Sequence, residues 1–123
     1  MKKIYLACPY RHNDFSVMEK RVENVNIIAA KLMLQGHVVF SPISHSHPIE
    51  MTGLKLPQGW EFWSKQDLPF LEWCDELYVA TLPGWHISEG VRAEILAAGR
   101  LRKTIVYIRL SEYLDIEKIR EIA

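Results

Sequence analysis

Apolar residues follow two rhythms along the chain: short continuous runs and longer stretches with a helical period, in alternation. The run IYLAC near the N-terminus reads as a strand, and from Asp14 to Leu34 apolar residues recur at 18, 22, 25, 29 and 32, one face of a helix. HVVFS, ELYVAT and TIVYI repeat the strand signature. Further helices are expected at about 58–73, where tryptophans gather, at 86–101, and in the tail at 111–122. A polar stretch with three prolines between 42 and 57 shows neither period.

Strands that are apolar almost throughout, separated by helices, imply a parallel sheet covered on both faces. The expected fold class is therefore α/β, a three-layer α/β/α sandwich around a parallel Rossmann-like or flavodoxin-like sheet of four to five strands. Such sheets bind ligands beyond the carboxyl ends of their strands. Those positions are rich in polar and aromatic residues: Tyr10, Arg11 and His12 after the first strand, Ser44 to His47 after the second, and Gly84, Trp85, His86 and Ser88 after the third.

Composition narrows the picture. The 123 residues suit one compact domain, 1–123. Fifteen basic residues balance fifteen acidic ones, so no overall field favours a nucleic-acid backbone or an anionic membrane. The apolar run in MKKIYLACPY stops at Pro9, too short for a signal or a span, and a cytoplasmic location is expected. Cys8 and Cys74 lack metal-like spacing and read as free, buried thiols.

Within GWHISEGVRAEI, Glu94 falls on the same helical face as Ile87, Gly90, Val91, Ala97, Ala98 and Leu101, the face expected to meet the sheet. A buried carboxylate needs a partner or gives up its charge. Glu94 is thus a structural carboxylate held by a hydroxyl or arginine, or a nucleophile or general base; Gly90 and the alanines leave room for a ligand. The loop Gly84 to Gly90, with Ser88, offers backbone N–H groups to a phosphate or hydroxyl. Glycosyl transfer would need a second carboxylate, and Asp67 is the candidate, although a position just before Leu68 and Pro69 also suits a helix N-cap. Asp75 reads as a turn residue.

The strand IYLACPYR, the pair QDL and CDELYV eight residues apart, and the pattern S-x-G-x-x-x-E at Ser88, Gly90 and Glu94 resemble the nucleoside 2-deoxyribosyltransferase family and its relatives that hydrolyse nucleoside 5′-monophosphates. The resemblance spans residues 4 to 108. It implies a nucleophilic role for Glu94, handling of the base by Asp67, and orientation of the nucleophile by Tyr5. The transferases often carry an aspartate six residues before the nucleophile; Ser88 stands there instead, as in the nucleotide-hydrolysing relatives, which favours a monophosphate or modified substrate and water as acceptor. CPYRH replaces the usual glycine-rich first loop, and SPISHSHPIEMTGLKLPQGWEFW has no counterpart in the best understood members, which suggests a separate branch. The implied reaction is hydrolysis or transfer at the N-glycosidic bond of a nucleoside or nucleoside 5′-monophosphate, with no cofactor.

Around that chemistry, Trp60, Trp63 and Trp85 are candidate walls for a flat base. Trp60 and Trp63 share the spacing of a buried helical stripe, so Trp85 is the preferred one. Arg11 could hold a phosphate or be a solvated surface arginine. His45 and His47, read as one side of an extended segment, suit base or phosphate contacts or, with a third ligand, a metal; His37 follows a helix end. Two other functions stay open: a nucleotide-binding sensor without turnover, and a metal-dependent hydrolase built on His45 and His47. Family relatives complete each site with a neighbouring subunit, and the surplus of apolar residues between 49 and 73 agrees with a homo-oligomer, a dimer or tetramer.

Overall fold

The computed structural model describes residues 1–120. Four parallel strands, β1 (Lys3–Ala7), β2 (Val38–Phe40), β3 (Glu76–Val79) and β4 (Thr104–Tyr107), form one sheet in the order β2-β1-β3-β4. Among the described residues the α-helices are α1 (Phe15–Leu34), α2 (Pro42–Glu50), α3 (Trp60–Trp73), α4 (Glu89–Arg100) and α5 (Ile116–Arg120). The expected 86–101 helix is broken: Trp85–Ile87 is a 3-10 turn and α4 begins after Ser88, which leaves Ile87 exposed and off the buried face of Glu94. The expected tail helix resolves into a 3-10 turn at Leu110–Glu112 and α5; residues 121–122 lie outside the described residues.

The two-residue period of β1 divides the core into two layers. Ile4 and Leu6 pack with Val25, Ile28, Ala29 and Leu32 of α1 on one face. Tyr5 and Ala7 point the other way, into a cluster with Leu71 of α3 and Val91 and Ala98 of α4. The architecture is the expected three-layer sandwich. Each fully buried Ile or Leu side chain contributes about 1.5–3 kcal/mol of transfer free energy to it.

Local signals set the helix ends. Asp14 caps α1 by accepting a hydrogen bond from the Ser16 N–H at 2.9 Å, and Gly36, at φ +94°, ends it; His37 follows this turn, where its Nδ1 accepts from the Lys2 N–H. Asp75 accepts from the Lys3 N–H at 2.9 Å, fixing the approach to β3.

The stretch from 42 is a helix, contrary to its aperiodic sequence. Pro42 stands in its first turn, where a missing N–H costs nothing, and Pro48 lies inside it. The reading of His45 and His47 as neighbours on an extended segment is therefore corrected: two residues apart on a helix they face different ways.

The two strands at the middle of the sheet, β1 and β3, are neighbours in space but not in sequence. Between them lies the point where the chain's path across the sheet reverses, where α/β sheets of this order leave a crevice.

Candidate active site

A cavity of about 740 Å³ opens at that crevice. The loop after β1 supplies Tyr10, Arg11 and His12; α2 supplies Ser46 and Glu50; α3 supplies Trp60, Trp63 and Asp67; the loop after β3 and the start of α4 supply Gly84, Ser88, Gly90 and Glu94. Several candidate ligand-binding groups and the two carboxylates singled out in the sequence thus share one space.

Glu94 is 5% exposed, and its Oε2 accepts a hydrogen bond from the hydroxyl of Tyr5, itself fully buried. Strand register makes this contact possible: Tyr5 lies between Phe40 of β2 and Leu77 of β3, on the face covered by α3 and α4. Burial drives the Glu94 carboxyl up to about 8; the Tyr5 hydrogen bond pulls it down, and the charge of Asp67 pushes it up again. Burial first, then the Glu94 and Asp67 charges, holds the Tyr5 phenol well above its ordinary value. Tyr5 therefore remains a donor at any pH of interest.

Asp67 lies inside α3, so the N-cap reading does not apply. Its half-buried carboxyl is raised by burial to about 6. Trp60, Trp63 and Asp67 occur at i, i+3 and i+7, one row of a helix, and this row lines the cavity before continuing into the core at Leu71. The same stripe that suggested core packing is half wall and half core. Trp85 goes elsewhere: half-buried, it packs beside the sheet with Tyr107 at 5.5 Å between ring centroids, and it does not line the cavity.

Ser88 caps α4, accepting from the Val91 N–H at 3.3 Å, and with Gly90 borders the cavity. A Cβ at Gly90 would meet nothing within 4 Å, so the helix start is open to a ligand. Cys8 also borders the cavity, but burial pushes its thiol far up and it donates to the Pro9 carbonyl, which leaves no nucleophilic thiolate.

Of the remaining candidates, Arg11 lines the cavity, paired with Glu50 at 2.8 Å. His45 is exposed beside Phe40, and His47 takes part in a 2.7 Å hydrogen bond between its Nδ1 and the Tyr10 hydroxyl; neither lines the cavity. Among the described residues no group of three His, Cys, Asp or Glu side chains could hold a metal. Nor, among them, is any helix long and apolar enough to cross a membrane.

Two residues that shape the cavity's charge are among those the sequence reading missed. Arg21 donates to the carbonyls of Tyr10, Arg11 and Pro83 at 3.3, 3.0 and 3.0 Å, stitching the loops after β1 and β3 together. Gly84 permits this approach: its φ is +89°, and a Cβ there would lie 2.7 Å from the guanidinium. A signal existed, since Arg21 falls on the apolar stripe between Met18 and Val25. Glu50 is the other, the single acid between 42 and 57.

The architecture recurs in a known enzyme. The chain superposes on the 2-deoxyribosyltransferase of the psychrotolerant bacterium Bacillus psychrosaccharolyticus with a TM-score of 0.57 over 95% of this chain and 89% of that one, at 22% identity. At that identity the likeness is one of fold, the fold that the sequence motifs implied. The chain belongs to the family described as "Domain of unknown function (DUF1937)", whose profile matches residues 2–109. No curated protein matches it significantly.

Proposed function

We propose that the protein breaks the N-glycosidic bond of a nucleoside or nucleotide, with Glu94 as nucleophile and Asp67 as the acid that protonates the departing base. The observation that carries this reading is the buried Tyr5–Glu94 pair at the edge of a cavity shared with a second, half-buried carboxyl. The fold it shares with a 2-deoxyribosyltransferase is in keeping with it.

Tyr5 holds Oε2 of Glu94 and leaves Oε1 to attack C1′. As that C–O bond forms, the C1′–N bond breaks, its electron pair goes to the base, and Asp67 gives the base its proton. The transition state has oxocarbenium character, which the adjacent carboxylate stabilises. Water or a second base then attacks C1′ of the glycosyl ester; its proton goes to Asp67 and Glu94 leaves as carboxylate. Trp60 and Trp63 form the apolar wall for the base.

The pair works in an inverted protonation order. With Glu94 titrating at about 8 and Asp67 at about 6, the reactive combination of ionised Glu94 and protonated Asp67 is about one part in a hundred between those values. The rate consequently rises up to about pH 6, stays level to about pH 8, and declines above it.

The test is chromatography of free base from a panel of ribo- and deoxyribonucleosides and their 5′-monophosphates, with Glu94→Ala in parallel. Release by the wild type and none by a folded variant is expected. Release undiminished in Glu94→Ala would remove Glu94 from the chemistry, and no release from any substrate would remove the reaction. Adding a second base separates transfer from hydrolysis. A homo-oligomer is part of the proposal, since Ile49, Met51, Leu54, Phe70 and Trp73 are all exposed; a monomer by sedimentation at micromolar concentration would exclude it.

A further inference from the structure

The reaction as proposed leaves one buried carboxylate of the cavity without a use. Glu50 closes α2 with its side chain 8% exposed. Oε1 accepts a hydrogen bond from Arg11 at 2.8 Å, whereas Oε2 is buried and accepts no hydrogen bond of good geometry, although the Tyr10 hydroxyl stands close enough to Glu50 for the carboxylate to push its phenol up. The hydroxyl of Tyr10 is bonded to His47 at 2.7 Å. Orphaned carboxylate oxygens are costly, and one in the wall of a cavity has the capacity to accept from whatever fills the cavity.

The same pair limits what that occupant can place beside Arg11. Arg11 borders the cavity, but its charge is met at contact distance by Glu50. The other arginine there, Arg21, directs its guanidinium at three backbone carbonyls. A phosphate placed against Arg11 would face the Glu50 carboxylate, and neither arginine offers it an uncompensated charge. A neutral hydroxyl can donate to Oε2 and leaves the ion pair intact.

We propose that Glu50, held in place by Arg11, determines specificity in this cavity: it accepts a hydrogen bond from a neutral sugar hydroxyl and rejects a phosphate at that position, so that nucleosides are preferred to their 5′-monophosphates. This rests on the N-glycosidic reading and deepens it.

The experiment compares kcat/KM for a nucleoside and its 5′-monophosphate in the wild type, Glu50→Gln and the double variant Glu50→Gln/Arg11→Gln. The wild type is expected to favour the nucleoside. Glu50→Gln removes the repelling charge and frees Arg11, so the ratio should move toward the monophosphate by roughly tenfold or more, and the double variant should lose that gain. A general loss of packing would lower both values without changing their ratio. A wild type that prefers the monophosphate overturns the proposal without recourse to any variant, and so does an unchanged ratio in a folded Glu50→Gln. The same ratio is read as binding, by calorimetric titration with the two ligands. Absence of cleavage then counts against the reaction, and an unchanged binding ratio counts against Glu50.

Discussion

Replacing Tyr5 by phenylalanine removes one hydroxyl from a buried site and leaves the ring where β1 packs it. That hydroxyl donates to Glu94 and favours its ionised form; burial and the Asp67 charge oppose ionisation. A hydrogen bond to a charged group is worth about 1.5–3 kcal/mol. At 1.36 kcal/mol per pH unit, its loss raises the Glu94 carboxyl by about one to two units. In the inverted protonation order the level part of the profile is set by the gap between the two carboxyls, so kcat/KM at pH 7 falls about ten- to a hundredfold. The alkaline break, which belongs to Glu94, moves from about 8 up to about 9–10 in the variant. The assay is kcat/KM for base release from pH 5 to 10.5, with folding checked by thermal melting at each end. A folded variant whose alkaline break stays near that of the wild type would refute the reasoning, however slow the enzyme had become.

Other outcomes follow from the same charges. Asp67→Asn, assayed with a base that departs without protonation, should lose both the break near 6 and the alkaline decline; a single rise is expected, centred at or slightly below 8 because the charge that raised Glu94 is gone. A bell that persists would take Asp67 out of the role. Glu94→Gln tests the stability side: a carboxyl moved from 4.5 to about 8 on folding binds more protons folded than unfolded, so the wild type loses stability as pH rises through that window. Urea unfolding should find Glu94→Gln more stable than the wild type at pH 9, by at most about 5 kcal/mol, with the difference nearly gone at pH 4.5. Equal differences at both pH values would contradict it.

The sheet was legible because its strands are short apolar runs, and those of the two central strands, β1 and β3, are largely buried and need no partner to be recognised. Glu94 was legible for a related reason, since it breaks the apolar face of α4; Asp67 was singled out only because glycosyl transfer needs a second carboxylate, and its place in the row of Trp60 and Trp63 emerged with α3. What periodicity could not convey was the wall made by α2. That helix packs against α1 and β1 and turns Ser46 and Glu50 toward the cavity, so its inward residues include polar ones and the usual apolar signature is absent. The tryptophans show the same limit. Trp60 and Trp63 have core spacing yet face the cavity, and Trp85 stands at a strand end yet packs beside the sheet. Whether an aromatic residue meets protein or space depends on the crevice between β1 and β3, which exists only once the strand order is known. Arg21 could have been found, being a cation within an apolar stripe; its carbonyl partners could not, because they come from two separate loops.

The charges of the cavity bear on why the proposed nucleophile should be buried at all. Its two arginines are both engaged, Arg11 by Glu50 and Arg21 by carbonyls, and three further acids, Asp67, Glu89 and Glu94, border the space. Such a surround repels anions and favours a cation. No cation is present in the ground state, and Glu94 keeps its proton up to about 8. When positive charge develops at C1′ about 4 Å away, its attraction for the carboxylate at an effective dielectric of about 20 is about 4 kcal/mol. That is about three pH units, close to the rise from 4.5 to about 8 that burial imposed. The penalty of holding a carboxylate away from water is thus cancelled at the transition state and not before. An exposed glutamate, ionised at neutral pH and shielded by water, would gain far less from the same charge. In the proposed reaction the burial of Glu94, destabilising to the resting fold, is the feature that makes its ionised form respond to the reacting sugar.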